Sequence, residues 1–169
     1  MPNKIYQYYV EGENEAKIIN TLKSELRCIQ PGKVTVFDVV QHRITKNRLM
    51  RLRQDTVVVL VFDTDTDSSL ILRENISFIR KQSNIKTVLC ITQVRNLEDE
   101  LVRSCDIRTV MELTGSKSLA DFKHDLNKEK NLGAKLTKAS FDISKFYIRE
   151  PYGEFSGIIN NSESIKIKH

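Results

Sequence analysis

The stretch TVVVLVFDTDTD, residues 56–67, decides the fold. Residues 56–62 are apolar or β-branched with no alternation. A strand here therefore buries both faces, as in a parallel sheet covered by helices on each side. The run stops abruptly at Asp63, Asp65 and Asp67, three acids at alternate positions. In open α/β sheets, sites form beyond the carboxyl ends of the strands, and that is where these carboxylates fall.

Working outward, IYQYYV at residues 5–10 reads as a strand closed by the turn Glu11-Gly12. From Asn14, the residues Ala16, Ile18, Ile19, Leu22 and Leu26 recur at helical spacing. Pro31-Gly32 marks a turn, and KVTVFDVV at 33–40 is strand-like. Residues 43–53 carry Ile44, Leu49 and Leu52 along one side and read as a helix. After the aspartates a helix turns Leu70, Ile71, Ile76 and Ile79 inward. IKTVLCI at 85–91 is another buried strand ending near Thr92-Gln93, and a helix begins near Leu97. Strand and helix alternate four times, which predicts an α/β layered fold with a mainly parallel sheet. Residues 118–128 and 134–147 look helical, separated by Gly133, and the stretch from Pro151 is rich in Gly, Asn and Ser. The expected organisation is a catalytic domain over 1–111, a helical extension over 112–150 and a partly disordered C-terminal tail over 151–169.

The 169 residues suit one domain, with 40% hydrophobic and 29% charged residues. No apolar run approaches the ~20 residues of a membrane span. The first residues lack the apolar block of a secretory signal, so the expected location is the cytoplasm, without membrane contact. Cys28, Cys90 and Cys105 are odd in number and form no CxxC pair, which excludes a zinc ribbon and argues against a disulfide framework. His42, His124 and His169 are scattered. The net charge is +5, and the sign is unevenly distributed: residues 43–53 hold five cations, Arg43, Lys46, Arg48, Arg51 and Arg53, and no acid. That stretch suits contact with nucleic-acid phosphates, although a solvated helix face would look the same.

With parallel strands, the acids after each strand converge on one edge. Glu11 follows the first strand, Asp63, Asp65 and Asp67 the third, and Glu98 the fourth. Glu15 sits in the first turn of the helix after Glu11. Carboxylates this close repel unless protonated or neutralised, and a divalent cation is the usual remedy. Oxygen ligands without His or Cys point to Mg²⁺ or Mn²⁺, ions suited to phosphoryl chemistry. Structural roles compete for some of these acids. Glu15 suits the helix dipole, Asp67 with Ser68 and Ser69 suits a helix cap, and Glu98 with Asp99 and Glu100 suits a solvated first turn.

YYVEGENE at 8–15, VVVLVFDTDTD at 57–67 and NLEDEL at 96–101 resemble the motifs of the TOPRIM superfamily. That domain is shared by topoisomerases, bacterial primases, small ribonucleases and the nucleases of the overcoming-lysogenization-defect (OLD) family. The EGxxE form and the Leu-Glu after the next strand resemble the nuclease branch, and the match spans residues 5–111. The resemblance implies a Rossmann-like TOPRIM fold and a metal-dependent nuclease acting on DNA or RNA, in phage defence, repair or RNA processing. It implies that Glu11 is a metal ligand or general acid/base and that Asp63 and Asp65 are the Asp-x-Asp ligands. Glu15 and Glu98 would complete a second metal position. The family's basic residue has no matching position here, and Lys135 and Lys138 stand as candidates. A homo-oligomer or a partner subunit is compatible with all of this.

Other readings remain open. A haloacid-dehalogenase-type phosphatase uses Asp-x-Asp-x-Thr after a strand, but Asp67 stands where its Thr would be. An EF-hand loop would take Asp63, Asp65, Asp67 and Glu74, but it requires Gly where Ser68 stands and a helix where a strand precedes. A non-catalytic module that binds nucleic acid is the third reading.

Overall fold

The computed structural model describes residues 3–168. Four strands, β1 (Ile5–Val10), β2 (Lys33–Val36), β3 (Thr56–Asp63) and β4 (Ile85–Gln93), form one sheet in the order β2-β1-β3-β4. All three pairings are parallel. As the uninterrupted apolar run requires, β3 lies inside the sheet and is buried from Thr56 to Phe62. Helices flank both faces, so the chain is an α/β protein of the Rossmann-like kind.

The strand pleat sends alternate residues to opposite faces. Tyr6, Tyr8 and Val10 of β1 join a core with Ile18, Ile19 and Leu22 of α1 (Glu13–Ser24) and Leu97 and Leu101 of α4 (Leu97–Ser104). Tyr9, Val58, Leu60 and Phe62 join the opposite core with Leu49 of α2 (Lys46–Met50) and Leu72, Ile76 and Ile79 of α3 (Leu70–Arg80). The first core also takes Leu113 of α5 (Met111–Thr114), Phe122 and Leu126 of α6 (Leu119–Lys128) and Leu132 and Leu136 of α7 (Leu132–Lys138). Among the described residues no helix is long and apolar enough to cross a membrane.

Several expectations need correction. The second strand stops at Val36, because the Asp38 carboxylate accepts the Val40 and Gln41 N–H groups at 3.0 and 3.2 Å and turns the chain. Residues 43–53 are not one helix; only Lys46–Met50 is helical. Asn75 holds the approach open by accepting the Ile44 N–H and donating to the Val39 and His42 carbonyls. Leu26 lies past the end of α1, and Leu70 is exposed, the inward face of α3 being Leu72, Asn75, Ile76 and Ile79.

The helix over 134–147 is instead α7 followed by a loop with one 3-10 turn at Ile143–Lys145. Gly133 lies within α7. Its N–H bonds the Glu25 carboxylate at 3.0 Å, and an added Cβ would meet that carboxylate at 2.3 Å, so glycine is needed for close approach. The stretch from Pro151 is packed: Phe155, Ile158 and Ile165 are buried in the two cores. It also closes the open edge of β4, where Asn161 donates its N–H to the Cys90 carbonyl at 2.7 Å and accepts the Cys90 N–H at 2.8 Å.

Candidate metal centre

The carboxyl ends of β1 and β3 are neighbours because Val10 pairs with Val61. The residues just beyond, Glu11 and Asp63, therefore meet, and the Asp63 N–H donates to Glu11 Oε2 at 2.8 Å. Glu15 comes from the first turn of α1. Each of Glu11, Glu15 and Asp63 places a carboxylate oxygen within 4.8 Å of the other two. Among the described residues, no ion pair reaches any of the three.

Glu15 also has the role of a helix cap. It sits three residues after the N-cap Gly12, where the acid of a capping box stands and where a carboxylate favours the helix dipole. Gly12 has an extended backbone that any residue adopts. An added Cβ would nonetheless press on Glu15 Oε2 at 3.2 Å.

Beneath the carboxylates, buried Gln93 ends β4 and donates from Nε2 to Asp63 Oδ1 at 2.5 Å. Tyr147 Oη donates to Gln93 Oε1 at 3.4 Å. Tyr147 is fully buried, and the repulsion of Glu100, Glu15 and Asp63 adds to burial in keeping it a neutral phenol. Glu100, itself fully buried, pairs with Arg103. Glu100 is therefore a buried anchor and not a solvated first-turn residue.

Burial pushes Glu11 up to about 7, with the Asp63 N–H opposing and Asp38, Glu15 and Asp65 adding repulsion. Burial and the repulsion of Glu11, Glu15 and Asp65 push Asp63 up to about 9, with the Gln93 amide opposing. Glu15 is raised by burial and by Glu98. Asp63, and in part Glu11, hold protons near neutrality in the absence of a cation. A divalent cation would displace those protons and satisfy the same oxygens, so the donor set fits Mg²⁺ or Mn²⁺.

The site opens into a cleft of about 610 Å³. Asp65, exposed, and Glu98, half-buried, line it with the triad. Glu98 is held by Lys123 Nζ at 3.7 Å. Asp67 does not line the cleft. Nor does it cap α3, whose N-cap is Ser69 and whose Leu70 N–H goes to Ser68 Oγ. Glu74 pairs with Arg43 at 2.8 Å instead of turning to the aspartates.

Sequence reading missed the opposite wall, where Lys123, His124 and Asn127 of α6 face the acids. Asn14 fixes that wall by donating to the Lys123 carbonyl at 2.8 Å and to Asn127 Oδ1 at 2.7 Å. It also missed Asp38, read as lying inside the second strand, whereas it follows the end of β2 and adds repulsion at Glu11. Lys135 pairs with Glu129 and, with Lys138, lines a separate hollow. Of the basic residues, Arg43, Lys46, Arg48, Arg51 and Arg53 all lie outside the cleft. Compared with protein-family models, curated proteins and solved structures, the chain finds no match.

Proposed function

We propose that this chain is a divalent-metal-dependent nuclease of the TOPRIM type, cleaving nucleic-acid phosphodiester bonds. The observation that carries the reading is the convergence of Glu11, Glu15 and Asp63 within 4.8 Å at the carboxyl edge of a parallel sheet. These three would hold Mg²⁺ or Mn²⁺, and Asp65 and Glu98 on the cleft wall offer ligands for a second ion. The bound ion supplies charge stabilisation at phosphorus and acidifies water near it.

The chain's own groups account for the rest. With the ion bound Glu11 would be a deprotonated ligand, and its raised value without one reflects how strongly the cleft favours a cation. Gln93 keeps the Asp63 carboxylate oriented. Lys123, across the cleft, offers a cation to the phosphate backbone, and Asn127 beside it offers an amide.

A panel of DNA and RNA substrates with Mg²⁺, Mn²⁺ or chelator tests the proposal beside Asp63→Ala and Glu11→Gln. Cleavage should require the ion. It should fall at least a hundredfold in Asp63→Ala, the scale at which a missing charge-stabilising group acts. Salt-sensitive binding without cleavage in any condition would instead assign the chain as a binding module.

A further inference from the structure

The opposite side of the sheet carries a second hollow, about 700 Å³, between the first half of β1, the β2 edge and the α2 segment. Lys4, Lys33, Arg48, Arg51 and Arg53 border it, and no carboxylate does. Among the described residues, none of these five cations is in an ion pair, whereas Arg43 of the same segment pairs with Glu74. Like charges gathered round one concavity raise its positive potential and favour an anion there.

The hollow has more than charge. Arg48 is half-buried and fixed over the Phe37 ring at 4.7 Å, so its guanidinium is already oriented. Ile5, Tyr9 and Leu52 give the wall apolar surface. Buried Gln7 lies between them with its amide donating to Thr35 Oγ1 at 2.9 Å. An inorganic phosphate would occupy a small part of this volume, which falls in the ~300–1,000 Å³ range of small-molecule sites. Guanidinium forks match phosphate oxygens, and an apolar wall edged by amides and hydroxyls suits a planar heterocycle.

We propose that this hollow binds a nucleotide phosphate, with the phosphate at Arg48 and Arg51 and the base against the apolar wall. The same chemistry reaches it from a free nucleotide or from the phosphorylated end of a nucleic-acid strand. The site is separate from the acidic cleft. It lies beside α2, along β1 and the β2 edge, and shares no lining residue with the cleft.

The test is binding by the whole chain in chelator, read by calorimetry for AMP and ATP and by anisotropy for a labelled oligonucleotide with and without a 5′-phosphate. Saturable binding of AMP or ATP is the result expected for a free nucleotide. Binding of the oligonucleotide only when phosphorylated is the result expected for a strand end. In either case Arg48→Gln/Arg51→Gln should weaken binding at least tenfold. Lys33→Gln/Arg51→Gln, which leaves the Arg48–Phe37 contact in place, should weaken it at least threefold with an unchanged melting temperature. Asp63→Asn should leave it intact. The proposal is overturned if no phosphorylated probe binds saturably at low salt, if both double variants bind like the parent, or if Asp63→Asn abolishes binding. It is also overturned if polyglutamate competes as well as ATP does.

Discussion

Asp63 and Glu11 keep protons in the folded chain that they would release when unfolded, and that fixes the sign of a pH effect. Their folded values lie near 9 and near 7 against ordinary values of 3.8 and 4.5. The stability these groups contribute is therefore full below about pH 4 and is lost as pH rises through about 7 and then about 9. In chelator, the melting temperature should fall between pH 5 and pH 9 more steeply in the parent than in Asp63→Asn. Mn²⁺ should raise it more at pH 8.5 than at pH 5, because fewer protons then compete for the oxygens. A parent slope equal to or shallower than that of Asp63→Asn refutes the assignment. Gln93→Leu, which removes the amide from Asp63, should weaken Mn²⁺ binding on the order of tenfold by calorimetry, as losses behind metal ligands do. Glu11 and Asp63 were legible in the sequence because a strand's end fixes where its next residue stands. Gln93 ends β4 opposite Asp63 and was passed over because an amide carries no charge to flag it, while Tyr147 and Lys123 reach the site through tertiary contacts with no local signature.

At the scale of elements, the starts of α4 and α6 were readable from their caps, while the helices expected over 43–53 and 134–147 were misplaced at both ends. Asn96 caps α4 by accepting the Asp99 N–H at 2.9 Å, and Ser118 caps α6 by accepting the Asp121 N–H at 3.1 Å. Replacing Ser118 by Ala should cost about 1 kcal/mol in urea unfolding. It should also weaken substrate binding, because α6 carries Lys123 and Asn127; an unchanged denaturation midpoint would show the cap to be idle. Residues 43–53 have apolar spacing that fits a helix, yet Asn75, more than twenty positions away, takes up the polar groups of the Ile44 and Val39 backbone and makes a loop the better solution. A similar override shortens α7. Its helical pattern continues past Lys138, but Ser140 adopts a positive φ of 59° and Tyr147 one of 61°. β1, β3 and β4 were read nearly to the residue, because burial leaves an apolar run with no alternative partner, whereas the half-exposed β2 was read four residues too long.

Over the whole molecule, the late segments share the cores of the early ones. Phe155 stacks on Phe62 of β3 with centroids 6.2 Å apart, and Phe146 and Tyr147 lie in the core that holds α1. Phe155→Ala should therefore cost about 3–5 kcal/mol, the range for deleting a fully buried phenyl ring. Heat unfolding should be one transition by calorimetry, with calorimetric and van't Hoff enthalpies equal. Two resolved peaks would mean that residues 112–168 unfold on their own. Composition gave no sign of this, because the Gly, Asn and Ser residues after Pro151 serve as turns between isolated anchors such as Phe155 and Ile165. The Asn161 fastening carries a consequence for self-association. Asn161 alone supplies both hydrogen bonds that Cys90 would otherwise offer to a stranger. A molecule clipped ahead of it would lose that fastening and leave β4 open to pairing at Cys90, so clipped copies should scatter more light on incubation than intact ones.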